Sequence, residues 1–211
     1  MALKKIAALV ALCAAACSAN AADYSFTGNF QYDNDVQLFQ FTVGATSEIG
    51  LRSWSYAGGV NAAGQTIAQG GFDPILALFD VNGIKIGEQD DGGCSRVAAD
   101  SVTGECWDTF FTVTLEAGTY FASVQQYNNF ANGSLAAGFA YDGAQYQQFR
   151  NGFVDAAGDT RNSQWAFDIL NVNAAELPPE PPIGEVPEPA SLALLGVALA
   201  GMTAARRRKQ G

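Results

Sequence analysis

The chain has 211 residues, is 48% hydrophobic and 15% charged, carries a formal net charge of −10, and contains no histidine. The missing imidazole excludes Ser-His-Asp and Cys-His catalysis, His-ligated zinc and the usual pH switch. The acidic balance excludes nucleic acid as a partner, because a strongly negative field repels phosphates.

At the amino end, Lys4 and Lys5 precede an apolar run from Ile6 to Cys17, followed by Ala19-Asn20-Ala21. A basic start, a short apolar core and a small-x-small site predict a signal peptide over 1–21 and a mature chain from Ala22. Lipidation at Cys17 is disfavoured, because Ala14-Ala15-Ala16 lacks the large aliphatic residue that such a signal uses. Setting aside the cations of the two ends, the body keeps Arg52, Lys85, Arg96, Arg150 and Arg161 against 20 carboxylates, a net charge of about −15.

The body reads as strands. Phe39, Phe41 and Val43 alternate with Gln40 and Thr42, and Phe111, Val113 and Leu115 alternate with Thr112 and Thr114. Tyr120, Ala122 and Val124 form a third such series, and Trp165, Phe167 and Ile169 a fourth. Period-2 alternation of aromatic and β-branched residues predicts half-buried antiparallel strands. Turn signals such as Asn82-Gly83, Asp91-Gly92, Asn132-Gly133 and Asp142-Gly143 separate them. The expected strands are 24–31, 36–43, 47–56, 74–80, 84–88, 108–115, 118–127, 134–141 and 164–171. The fold class is all-β, an antiparallel, jelly-roll-like β-sandwich spanning 22–173. Residues 57–72 and 142–163 are expected to be long loops.

Cys94 and Cys106 are the only cysteines outside the signal peptide. In an oxidising compartment they are expected to pair, closing a short loop. Asp90 and Asp91 before that loop and Asp108 after it are a candidate calcium set, since oxygen ligands on turns suit this ion. Asp33, Asn34 and Asp35 are a second set. The competing reading makes these acids turn residues that cap their own backbone. Tyr146, Phe149 and Phe153 lie among Gln, Asn and Gly and are a candidate glycan-contacting set, against a reading in which they pin the loop to the core. With twenty acids, no pair is singled out for carboxylate-based hydrolysis, and no enzyme activity is expected.

Residues 174–186, with Pro178, Pro179, Pro181 and Pro182 among glutamates, are expected to be a stiff solvated spacer. Then come Pro187-Glu188-Pro189, an apolar run from Ala190 to Ala205, and Arg206-Arg207-Arg208-Lys209. The run, slightly short of the roughly 17–25 residues of a spanning helix, is expected to enter the inner membrane over 190–205 with its basic end in the cytoplasm.

This tail resembles the PEP-CTERM sorting signal of Gram-negative bacteria that make exopolysaccharide. The resemblance implies transient inner-membrane anchoring, processing by an exosortase-type enzyme, and delivery to the cell surface or matrix. Within the body, Phe72-Asp73-Pro74, Leu78-Phe79-Asp80, Asn82-Gly83, Asp90-Asp91, Asp108 and Ala117-Gly118-Thr119-Tyr120 resemble the bacterial pre-peptidase C-terminal domain, as does Asp33-Asn34-Asp35 before Phe39 and Phe41. That resemblance implies a compact secreted accessory β-sandwich, here without an attached peptidase. The expected function is a non-catalytic surface or matrix protein associated with exopolysaccharide or biofilm. The alternatives are a calcium-dependent or glycan-binding module and, behind it, a carboxylate-based hydrolase.

Overall fold

The computed structural model describes residues 21–143 and 148–178. The strands in chain order are β1 (Ala22–Asn29), β2 (Val36–Val43), β3 (Ser47–Ser53), β4 (Gly59–Val60), β5 (Thr66–Ile67), β6 (Pro74–Phe79) and β7 (Lys85–Gln89). They continue as β8 (Phe110–Leu115), β9 (Gly118–Gln126), β10 (Phe153–Val154), β11 (Thr160–Arg161), β12 (Gln164–Val172) and β13 (Ala174–Glu176). One short helix, α1 (Gln148–Asn151), lies among them. One sheet has the order β1-β12-β3-β8 and the other β13-β2-β9-β6-β7. All of these pairings are antiparallel.

The alternation decides which side chains meet between the sheets. Phe39, Phe41 and Val43 of β2 and Ala122 and Val124 of β9 face Ile49 and Leu51 of β3 and Trp165, Phe167 and Ile169 of β12 in one core. The Phe39 ring stands 4.7 Å from Phe26 and 4.8 Å from Phe167. Each fully buried side chain of this kind stabilises by about 1.5–3 kcal/mol. A one-residue slip would turn the whole set outward, so this core fixes the register. β6 is buried on both faces, which is why Pro74–Phe79 is a continuous apolar run. Its outer face lies under Ala131 and Phe139. Lys85 donates to the Ala131 carbonyl at 2.7 Å, and the Ala131 amide donates to Glu88 at 2.7 Å, clamping that cover.

Three expectations change. Residues 134–141 form no strand: a 3-10 turn occupies Leu135–Ala137, with the Ser134 hydroxyl accepting from the Ala137 amide. Gly133 and Gly138, at φ 96° and 71°, break the extended path on either side. The expected loops contain two small hairpins, β4–β5 and β10–β11. The first three residues of the expected spacer are β13, paired with Gln40–Thr42 of β2. The chain divides between Leu177 and Pro178, and every strand belongs to the first unit. The expected signal peptide, membrane segment and sorting tail lie outside the described residues. Among the described residues no helix is long and apolar enough to cross a membrane.

Candidate functional site

The predicted disulfide is present: Cys94 and Cys106 are bonded at 2.09 Å, with Cα atoms 5.1 Å apart. It closes a surface loop before β8, beside the acids that the sequence analysis singles out.

Those acids divide into two kinds. Asp108 is buried and faces inward. Its carboxylate accepts from the Ser53 hydroxyl at 2.8 Å and from the amides of Tyr56 and Ala57 at 3.1 and 2.8 Å. Burial still pushes its carboxyl above the ordinary range, against those donors. Asp90 and Asp91 stay near the surface. One Asp90 oxygen accepts from the Asp91 amide at 2.9 Å, which is turn capping. Burial, then Asp90 and Glu105, raise the Asp91 carboxyl. Among the described residues no three Asp, Glu or Cys side chains gather as a metal ligand set. Asp108 therefore serves the loop after β3, its oxygens already engaged. Asp35 is likewise a cap, accepting from the amides of Gln31 and Tyr32 at 2.7 and 2.9 Å.

Asp73 belongs with these acids. It is 8% exposed, and its Oδ1 has no hydrogen-bond partner. Burial pushes its carboxyl up to about 8, reinforced by Asp91, Asp90, Asp108 and Asp155. The β6–β7 register explains the meeting: Leu76 pairs with Gln89, so Asp73, before β6, arrives near Asp91, after β7. The Phe72-Asp73-Pro74 and Asp90-Asp91 motifs hold the signal, but only the hairpin register joins them.

A second polar centre lies behind the disulfide loop. Arg161 on β11 is buried between Asp100 and Asp155. Its Nε donates to Asp155 at 2.7 Å, and its terminal nitrogens lie 3.3 Å from Asp100. The guanidinium sits 3.7 Å from the Tyr56 ring centre. The Tyr56 hydroxyl donates to Asp155 at 3.0 Å, and burial is the main reason its pKa rises to about 12. Burial opposes the charged forms of Asp100 and Asp155. The Arg161 contact and main-chain donors, from Val102 and Thr103 to Asp100 and from Asp159 to Asp155, outweigh it and hold both carboxyls below the ordinary range. This centre ties the disulfide loop to the β10–β11 hairpin. Sequence patterning gives no pairing signal for it beyond the scarcity of cations.

Asp168 plays the same part on the outer face of the first sheet. It is 1% exposed and accepts from the Ser25 hydroxyl at 2.6 Å, the Trp54 indole at 2.7 Å and the Ala62 amide at 2.9 Å. It holds the 57–69 segment against the sheet.

Of the candidate glycan set, the Phe149 ring lies tilted 5.3 Å from Phe72 and edge-to-face 5.1 Å from Phe153, and Phe153 is buried in the main core. These two rings pin the loop to the core, Phe153 buried and Phe149 partly exposed. Tyr146 lies outside the described residues.

The geometry defines an acidic, disulfide-clipped β-sandwich whose buried carboxylates organise loops. The comparisons then place the tail. Residues 185–209 match the PEP-CTERM protein-sorting motif, which holds the expected Pro187, Glu188, Pro189, Arg206, Arg207 and Arg208. The motif marks an exported protein sorted by an exosortase-type system. Among solved structures the chain is similar to the pre-peptidase C-terminal domain of a collagenase from Bacillus anthracis, at 8% identity over 74% of this chain and 90% of that one, with a TM-score of 0.34. So slight a likeness carries no argument, and the β-sandwich rests on the strand pairing above. Among curated proteins nothing matches the chain.

Proposed function

We propose that this chain is a non-catalytic surface or matrix protein, contributing a rigid acidic β-domain to an exopolysaccharide or biofilm matrix. The observation that carries the reading is the sorting motif at 185–209, directly after a closed sandwich. The chain divides into a signal peptide over 1–21, the sandwich, a Pro/Glu spacer, and a tail over 187–211 with its membrane segment at 190–205. The sandwich begins at the expected mature end, since Ala22 already pairs with Val172. The non-catalytic reading is supported by the lack of histidine and by the use of Asp100, Asp108, Asp155 and Asp168 as hydrogen-bond hubs.

Deleting 187–211 tests the reading. Cell fractionation of a tagged chain should find the full protein at the surface or in the matrix, and the truncated one in the periplasm. Normal surface amounts of the truncated chain would refute it.

A second reading is favoured by the unpartnered Asp73 oxygen. Burial and the charges of Asp91 and Asp90 favour the protonated form of Asp73, and a calcium ion at this acidic turn would relieve the same repulsion, since calcium suits carboxylate oxygens. Melting of wild type and Asp91→Asn in calcium against sodium at equal ionic strength decides it. Equal melting temperatures in the two salts remove calcium from the account.

A further inference from the structure

The body has five cations. Lys85 pairs with Glu88, and Arg161 pairs with Asp100 and Asp155. Among the described residues, Arg52 and Arg96 form no ion pair, and both converge on one aromatic ring. The Arg52 guanidinium lies 3.8 Å from the Trp54 ring centre and 5.2 Å from that of Phe110. The Arg96 guanidinium lies 5.4 Å from the same Phe110 ring.

The topology makes this meeting. Arg52 on β3 stands directly across from Phe110 on β8 and from Asp168 on β12. It therefore points to the outer face, opposite the core-facing Leu51. Its natural partner, Asp168, is already engaged by Ser25, Trp54 and Ala62. Arg52 is thus held by ring faces while its guanidinium forms no ion pair; its Nε is buried without a hydrogen-bond partner, which leaves the terminal nitrogens as the donors a ligand could meet. Arg96 is exposed on the disulfide loop and crosses the open edge of β8, donating to the Phe110 carbonyl at 3.1 Å. Its contact with the Thr112 hydroxyl is long, at 3.4 Å. Thr112 and the exposed Thr114 continue along the same face of β8.

Two guanidinium groups around an aromatic ring, with hydroxyls in line, suit one ligand chemistry. Guanidinium forks bind carboxylates in two-point contacts, Phe110 holds the two guanidinium groups beside each other, and threonine hydroxyls in line can bond the hydroxyls of a sugar. We propose that this outer corner of the first sheet binds a carboxylated, uronate-containing polysaccharide through Arg52 and Arg96, which Phe110 holds side by side. The proposal rests on the matrix reading above and names the glycan class that it would engage. The body's charge of about −15 repels such a polymer at a distance, but beyond about 8 Å physiological salt screens that repulsion, and the contact pairs remain.

The test uses the purified full chain in mild non-ionic detergent at physiological ionic strength, with 15N-labelled arginine. Nε–H signals are followed while a short oligouronate is added. Signals of Arg52 and Arg96 should shift saturably, and that of the buried Arg161 should stay still. A neutral oligoglucan should shift none of them. Arg52→Gln and Arg96→Gln should each weaken binding by about tenfold or more, Arg96→Gln at an unchanged melting temperature and Arg52→Gln while the chain is still folded at the temperature of the titration. Still signals in the wild type overturn the proposal, as do equal shifts with polyglutamate, which would make the corner a peptide-carboxylate surface. Full affinity in both variants overturns it too, and assigns the binding to the common basic tail. Because the titration is made on purified protein, its outcome is independent of where cells send the chain, which the tail deletion reads separately.

Discussion

Replacing Arg161 with methionine should be among the most damaging single changes in the body. The side chain is 3% exposed, and Asp100 and Asp155 beside it are 0% and 1% exposed. The substitution keeps most of the volume but leaves two buried carboxylates without their cation. Breaking a buried pair from one side costs about 3–5 kcal/mol. For a domain of this size, at roughly 2–4 °C per kcal/mol, the melting temperature should fall by about 10 °C or more. The pH dependence separates this cause from lost packing. Both carboxyls lie below their ordinary value of 3.8 when folded. A depressed acid contributes stability above its unfolded pKa and loses it as pH falls through the folded pKa. The Arg161→Met deficit should therefore be full at pH 7 and shrink below about pH 4. Adding Asp100→Asn and Asp155→Asn should recover part of it at pH 7. Thermal melts followed by near-UV circular dichroism over pH 3–7 measure all of this. A loss under about 1 kcal/mol, or a deficit constant with pH, would refute the reasoning.

Removing the disulfide with Cys94→Ala and Cys106→Ala should cost about 2–4 kcal/mol in a denaturant titration, through the freedom returned to the unfolded chain. It should also loosen Arg96, and so weaken oligouronate binding more than the melting shift alone would suggest. Gly28→Ala should destabilise by about 1–3 kcal/mol, because a Cβ there would stand 2.3 Å from the Trp165 ring. Trp165 fluorescence and the melting temperature report it, and an unchanged melt would show that the ring can give way.

Much of the fold was legible because alternation and burial follow one rule. Phe39, Phe41 and Val43, or Trp165, Phe167 and Ile169, announce both the strand and its inward face, and β2 has the bounds that its pattern predicts. The pattern failed where a hydrophobic series is not a strand. Leu135 and Phe139 anchor a cover over β6 through a turn, and nothing in their spacing tells a covering segment from a pleated one. β13 was missed because Ala174-Ala175-Glu176 has no strand signature; its pairing depends on the free edge of β2, which is a tertiary fact. The site was legible in part. Two cysteines outside the expected signal peptide leave one pairing, and the disulfide follows. The sequence marks the acids as turn residues or calcium ligands, whereas in the fold Asp108 faces inward and Asp73 lies beside the Asp90-Asp91 turn. Which acid is buried depends on strand register, not composition. The Arg161 centre and the Arg52–Phe110–Arg96 corner join residues far apart in sequence, so only the folded chain assembles them.

The order of the strands also bears on how such a protein can be sorted by its tail. β1 pairs with β12, and β2 pairs with β13, so the opening strands of the body wait for its last ones. Closing contacts over such separations carries a large loop entropy and makes folding slow. The strands that complete both sheets end at Glu176, just before Pro178 and the spacer. Neither sheet is complete until nearly the whole body has been exported, and the tail follows at once. A membrane-held tail would keep the late-closing chain at the inner membrane while β12 and β13 are placed. Prolines from Pro178 onward cannot extend the β13 ladder, so the strand ends where the sheet is complete. The prolines therefore fix where the last strand of the second sheet stops.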